Sequence, residues 1–183
     1  MSADAPPAPL AGPVVIDAST VVEYLVVLTL TDAATRLLHR AADGRVELWA
    51  PDLVYSESVS ALRKLVRLGA LAEAPAKAAV DHLSHLPIIA TGTAALMPDA
   101  WRMRAFLTPY DACYVALAEA LGAAFVTAER NLAVELRKRN DESECTTWGS
   151  CSRRESAPVR APHGWSAGAE SRSRPRSIHP IAS

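Results

Sequence analysis

An α/β fold built on a parallel sheet covered by helices is predicted by three observations. Short runs such as Val14-Val15-Ile16 and Phe125-Val126 are apolar throughout, without the alternation of a sheet that has one face in water. Segments with apolar residues at helical spacing separate these runs. Gly44, Gly69 and Gly122, with Pro51 and Pro109, punctuate the boundaries.

The elements follow in order. Val14–Asp17 is the first strand, and Ser19 or Thr20 is placed to cap the helix after it. A helix over Asp32–Asp43 stops at Gly44. A strand at Glu47–Ala50 leads through Pro51 into a helix over Asp52–Leu68, which stops at Gly69. There Tyr55, Val59, Leu62 and Val66 recur at helical spacing and are expected to face the core. Glu57 lies about 200° around the helix from Tyr55, outside that stripe. A helix over Ala74–Leu86, a strand at Ile88–Ala90 and a short helix over Met97–Phe106 come next. Tyr110–Leu121 is helical, with Tyr114, Leu117, Ala118 and Leu121 on one face and Gly122 as its stop. Ala124–Thr127 is the last strand and Glu129–Arg139 the last helix. No internal repeat is present.

The 183 residues, half of them hydrophobic, suit one domain with appendages. Residues 1–13 read as a flexible leader and 14–139 as the domain. Residues 140–183 are rich in Ser, Arg and Pro, lack apolar periodicity and are expected to form a disordered tail. Its six arginines, Arg153, Arg154, Arg160, Arg172, Arg174 and Arg176, make either an RNA-binding arm or a solvated tail, and composition favours the second. The formal net charge of −1 gives no global attraction to nucleic acid or membrane. Cys113, Cys145 and Cys151 show no zinc-ligand spacing, and Cys113 reads as a small buried residue. No secretory signal or membrane span is evident. A soluble, cytoplasmic protein is the expectation.

Four acids stand at ends of these elements. Asp17 closes the first strand, Glu57 lies early in its helix, Asp111 opens another helix after Thr108-Pro109-Tyr110, and Glu129 follows the last strand. Alone, each reads equally as a helix cap or a solvated residue. Acids without a His, Cys or Lys partner nearby are poor nucleophilic machinery, but they suit a hard cation such as Mg²⁺ or Mn²⁺. In an open α/β sheet, sites form beyond the carboxyl ends of the strands, where Asp17 and Glu129 fall.

The surroundings of these acids carry a resemblance. Val15-Ile16-Asp17-Ala18-Ser19, Ala50-Pro51-Asp52-Leu53 with Glu57 and Ala61-Leu62-Arg63, Leu107-Thr108-Pro109-Tyr110-Asp111-Ala112, and Val126-Thr127-Ala128-Glu129 resemble PIN-domain nucleases. More narrowly, they resemble the VapC toxins of bacterial VapBC toxin–antitoxin modules. The likeness spans about residues 14–139 and keeps both order and spacing. It implies a three-layer α/β/α sandwich and Mg²⁺-dependent endoribonuclease activity, with water as the nucleophile. It implies metal binding by Asp17 and Asp111, with Glu57 and Glu129 completing the acidic pocket, and a homodimer silenced by a small antitoxin. Thr127 and Ser19 are either hydrogen-bond partners of a ligand carboxylate or water, or a strand-end and a cap hydroxyl. Two departures stand out: Glu129 where the family commonly has Asp, and Ser60 where it often has Asn.

For RNA contact the candidates are Arg63, Lys64 and Arg67 on the Glu57 helix, with Arg102, Arg104 and Arg130 near the other acids. Trp49 and Trp101 are expected to be buried, and His39, His82 and His85 to lie at the surface. A second reading is a PIN scaffold that binds antitoxin or RNA without cutting. A third, a phosphohydrolase of another α/β family, is weakened because Ala18-Ser19 follows Asp17 without a second nearby Asp.

Overall fold

The computed structural model describes residues 10–139, apart from 27 and 29, together with 145–147. Its strands are β1 Gly12–Ile16, β2 Val46–Pro51, β3 Ile88–Thr91, β4 Ala124–Thr127 and β5 Cys145–Thr147. All pair in parallel, in the order β3-β2-β1-β4-β5. Val14, Val15 and Ile16 are each fully buried. Because successive strand residues face opposite ways, β1 is covered on both sides, as its unbroken apolar run implied. The architecture is the three-layer α/β/α sandwich.

Helices α1 Ala18–Leu25, α2 Thr31–Ala42, α3 Leu53–Arg67, α4 Glu73–Leu83, α5 Met97–Arg102, α6 Pro109–Leu121 and α7 Arg130–Arg139 supply the outer layers. Strand order reverses beside β1. The chain runs outward through β2 to β3, then returns to lay β4 against the other edge of β1. Register pairs Val14 with Ala124 and Ile16 with Val126, so Asp17 and Thr127 stand together at the carboxyl ends of adjacent strands. That is the switch point, where an open α/β sheet leaves a crevice.

Several expectations are corrected. Asp17, not Ser19 or Thr20, caps α1 by accepting the Thr20 amide hydrogen. The helix starts at once after the strand, and this leaves both hydroxyls inside its first turn. On α3 the buried face is Val54, Ser58 and Leu62, while Val59 is 39% exposed. Small residues explain the offset: Ser58 and Ala61 let α3 approach α1 and α4, where Leu62 joins Val22, Val26 and Ala79 in a second apolar cluster. Helix α6 shows one apolar face in the sequence, yet Ala112 through Ala118 are all buried. It lies against β1, β2 and β4 and is itself covered by α5. Gly122 ends α6 at φ +57°, a left-handed conformation in which a Cβ is strained.

Residues 145–147, assigned from sequence to the tail, add β5 beside β4; the rest of 140–183, like the 1–9 part of the leader, lies outside the described residues. Among the described residues, no helix is long and apolar enough to cross a membrane.

Candidate active site

Asp17 is the centre of the site. Its carboxylate is 5% exposed, a costly position for a charge unless donors surround it. They do. Ser19 Oγ donates to both carboxylate oxygens at 2.7 and 2.8 Å. The Thr20 amide and hydroxyl each reach Oδ1 at 2.9 Å. Thr127 Oγ1, from β4, donates to Oδ2 at 2.6 Å.

The same hydroxyls lock the β4 end. Ser19 Oγ accepts the Ala128 amide hydrogen at 2.9 Å, and Thr127 Oγ1 accepts that of Glu129 at 2.9 Å. One hydroxyl from each side of the β1–β4 seam therefore serves both Asp17 and the chain leading into Glu129. Of the alternatives raised for Ser19 and Thr127, the first holds for both as hydrogen-bond partners of the Asp17 carboxylate; Thr127 is also the strand-end hydroxyl of β4, and Ser19 does not cap α1.

Asp111 sits in the first turn of α6. Thr108 caps that helix, accepting the Asp111 amide hydrogen at 3.1 Å and returning its hydroxyl to Asp111 Oδ2 at 2.7 Å. The helix N-terminus favours the charge. Glu57 lies about 60° around α3 from buried Val54, so it borders the core rather than standing free of it. Its Oε2 accepts a 2.6 Å hydrogen bond from the hydroxyl of Tyr114. That tyrosine is buried on α6, its ring stacked on Phe125 with centroids 6.3 Å apart. Tyr114 was legible only as a core residue of α6; no spacing marked its hydroxyl as part of the site.

Glu57 and Glu129 sense the other acids. Burial raises the Asp17 carboxyl above its ordinary range, against the lowering effect of the Thr127, Thr20 and Ser19 donors. Glu57 is also raised, first by burial, then by the charges of Asp111, Asp17 and Glu129 despite the lowering Tyr114 bond. Glu129 is raised by lost hydration, then by Asp111 and Asp17; as an exposed residue it carries the most screened of these shifts. The sheet and three helices therefore bring Asp17, Glu57, Asp111 and Glu129 into one electrostatic neighbourhood. Among the described residues, no three acidic, histidine or cysteine groups stand at ligand distance from a common point.

The donor set fits a hard divalent cation in kind: carboxylate oxygens only, mutually repelling, with hydroxyls fixing the most buried one. A cation would offset the lost hydration that raises Asp17, Glu57 and Glu129 and the repulsion that adds to it at Glu57 and Glu129.

The basic residues divide. Arg63, Lys64 and Arg67 line an open groove of roughly 430 Å³ with Glu57, Ser60 and Ala61, and form no ion pair among the described residues. Arg102 instead pairs with Asp99 at 3.0 Å and Glu119 at 3.8 Å, tying α5 to α6. Arg104 lies over the Trp101 ring, 4.9 Å from its centroid. Trp101 itself is 67% exposed, contrary to the expected burial, and Trp49 is half-buried. The short amphipathic α5 buries Ala100 and turns the indole outward.

Residues 14–134 match the PIN-domain family. Ribonuclease VapC3 of Mycobacterium tuberculosis is 36% identical over 120 residues, covering 66% of this chain and 85% of the relative. VapC ribonuclease Mb0985 of Mycobacterium bovis is 38% identical over 119 residues, covering 65% and 87%. The crystal structure of PAE2754 from Pyrobaculum aerophilum superposes with a TM-score of 0.52 at 23% identity, over 74% of this chain and 88% of that one.

Proposed function

The chain belongs to the PIN-domain family, among its VapC ribonucleases, and we propose that it is a divalent-metal-dependent endoribonuclease acting as the toxin of a toxin–antitoxin module. The observation that carries this reading is the gathering of Asp17, Glu57, Asp111 and Glu129 about the strand-order switch, where the charges of Asp17 and Asp111 act on Glu57 and Glu129.

In this reading Asp17 and Asp111 would hold a Mg²⁺ or Mn²⁺ ion, with Glu57 and Glu129 completing the pocket. When bound, such an ion supplies a Lewis-acidic charge that activates water and offsets charge building on the scissile phosphate. Ser19, Thr20 and Thr127 keep the Asp17 carboxylate in one orientation and the Glu129 backbone tied to it. Thr108 does the same for Asp111. The groove along α3 gives RNA phosphates a cationic path leading to Glu57. Arg63 and Arg67 supply planar donors, and Lys64 a point charge. The other partners in this reading are a cognate antitoxin and a second copy of the chain, for which the exposed side chains of Leu68 and Met97 offer apolar surface.

Purified full-length protein should cut structured RNA in Mg²⁺, fall silent with a chelator, and lose cleavage on Asp111→Asn while keeping its fold. RNA binding without cleavage in any divalent ion would favour the non-cutting scaffold instead.

A further inference from the structure

Tyr114 occupies a position where a phenylalanine would pack as well. Its ring is 2% exposed and lies on Phe125 of β4. Only the hydroxyl distinguishes it. A buried tyrosine hydroxyl needs a polar partner, and this one donates to Glu57 Oε2 at 2.6 Å across the gap between α6 and α3. The phenol thus joins α3 to α6.

Glu57 needs such a tether. Asp17 and Asp111 have two side-chain torsions each, and local hydroxyls fix both carboxylates. Glu57 has three torsions, and its only hydrogen bond among the described residues is the one from Tyr114. Freezing a glutamate side chain costs conformational entropy, and α3 approaches the acids from outside the β1–β4 seam. Tyr114 lies three residues after Asp111, on the same face of α6. The helix that presents Asp111 therefore also presents the donor that aims Glu57.

We propose that Tyr114 is a positioning residue: its hydroxyl holds Glu57 Oε2 so that Oε1 is turned toward Asp17 and Asp111. This rests on the metal-dependent nuclease reading above. A charge-assisted bond this short fixes direction as well as distance. Partners that orient a ligand in this way typically change metal affinity or activity by about 10- to 100-fold when removed.

The test uses the full chain and four forms: parent, Tyr114→Phe, Glu57→Gln and the double variant. Mn²⁺ binding without RNA is followed by calorimetry, RNA cleavage by kcat and KM, and folding by the metal-free thermal midpoint. Tyr114→Phe should weaken Mn²⁺ binding about tenfold and lower kcat by a similar factor, with KM within about twofold. Its midpoint should stay close to that of the parent. In the Glu57→Gln background the Tyr114→Phe change should have no further effect on Mn²⁺ affinity. Unchanged Mn²⁺ affinity on Tyr114→Phe overturns the proposal, as does an equal loss in both backgrounds. Loss of the fold on Tyr114→Phe overturns it too, since the hydroxyl would then be structural. A parent that neither binds Mn²⁺ nor cuts RNA defeats the nuclease reading itself; a parent that does both, with Tyr114→Phe unchanged from it, defeats only the positioning role.

Discussion

Replacing Thr127 by Val keeps the shape of a fully buried side chain and removes one hydroxyl. That hydroxyl donates to Asp17 Oδ2 at 2.6 Å and accepts the Glu129 amide hydrogen at 2.9 Å. Losing a buried hydrogen bond to a charged acceptor costs about 1.5–3 kcal/mol. The Glu129 amide, in a part-buried bond, loses its acceptor as well. Ser19 and Thr20 still serve Asp17, which keeps the total at about 2–3 kcal/mol. For a domain of this size that corresponds to a thermal midpoint lowered by roughly 8–12 °C. Thr127→Ser, which keeps the hydroxyl and gives up a methyl, should cost only about 1 kcal/mol. Chemical denaturation of the metal-free protein at neutral pH measures both. In an Asp17→Asn background the Val penalty should shrink below about 1 kcal/mol, since the acceptor is then neutral. A Val variant within about 0.5 kcal/mol of the parent, or a Ser variant weaker than the Val one, would refute the reasoning.

Further consequences can be checked with the same protein. Burial raises Asp17 above its ordinary 3.8 and Glu57 above 4.5, so the folded state holds these protons more tightly than the unfolded one. The resulting destabilisation is absent below the ordinary values and complete above the raised ones. Metal-free stability contributed by these groups must therefore fall as pH rises through that window. The thermal midpoint of the parent minus that of Asp17→Asn, which cancels the carboxyls not coupled to Asp17, should drop between pH 4 and neutrality; a steady rise contradicts it. Glu129→Asp should lower the Mg²⁺ concentration needed for cleavage and Glu129→Gln should raise it, because the shorter carboxylate has one torsion fewer to fix. Identical metal titrations for both variants and the parent remove Glu129 from the site. Changing Arg63, Lys64 and Arg67 together to Gln should weaken RNA binding and flatten the slope of log affinity against log salt by about two to three, with kcat at saturating RNA little changed. An unaltered slope means that phosphates do not follow the α3 groove.

Much of the fold was legible because its signals are local. Ala124–Thr127 as a strand needed only its unbroken apolar run, and the stops at Gly44, Gly69 and Gly122 needed only the demand for positive φ. What failed depended on neighbours distant in sequence. The apolar repeat on α3 pointed to Val59, but close approach to α1 and α4 selected the face carrying Ser58 and Ala61. Trp101 is bulky enough to suggest burial, yet α5 has only six residues and turns the indole outward beneath Arg104. Arg102 stands near Asp111 in sequence, but its partners are Asp99 and Glu119. At the site, each acid could be placed at an element's end from sequence. The Thr127–Asp17 and Tyr114–Glu57 bonds join residues 110 and 57 positions apart, and nothing along the chain indicates such pairings.

The central claim is that Asp17, Glu57, Asp111 and Glu129 together form one divalent-metal site. Calorimetric titration of the full-length, chelator-stripped protein with Mn²⁺ tests it most directly, with Asp17→Asn and Asp111→Asn beside the parent. The account predicts saturable binding by the parent and loss of at least about tenfold in affinity in each variant, with both variants still folded without metal. Mn²⁺ binding of equal affinity in the parent and both variants would contradict it.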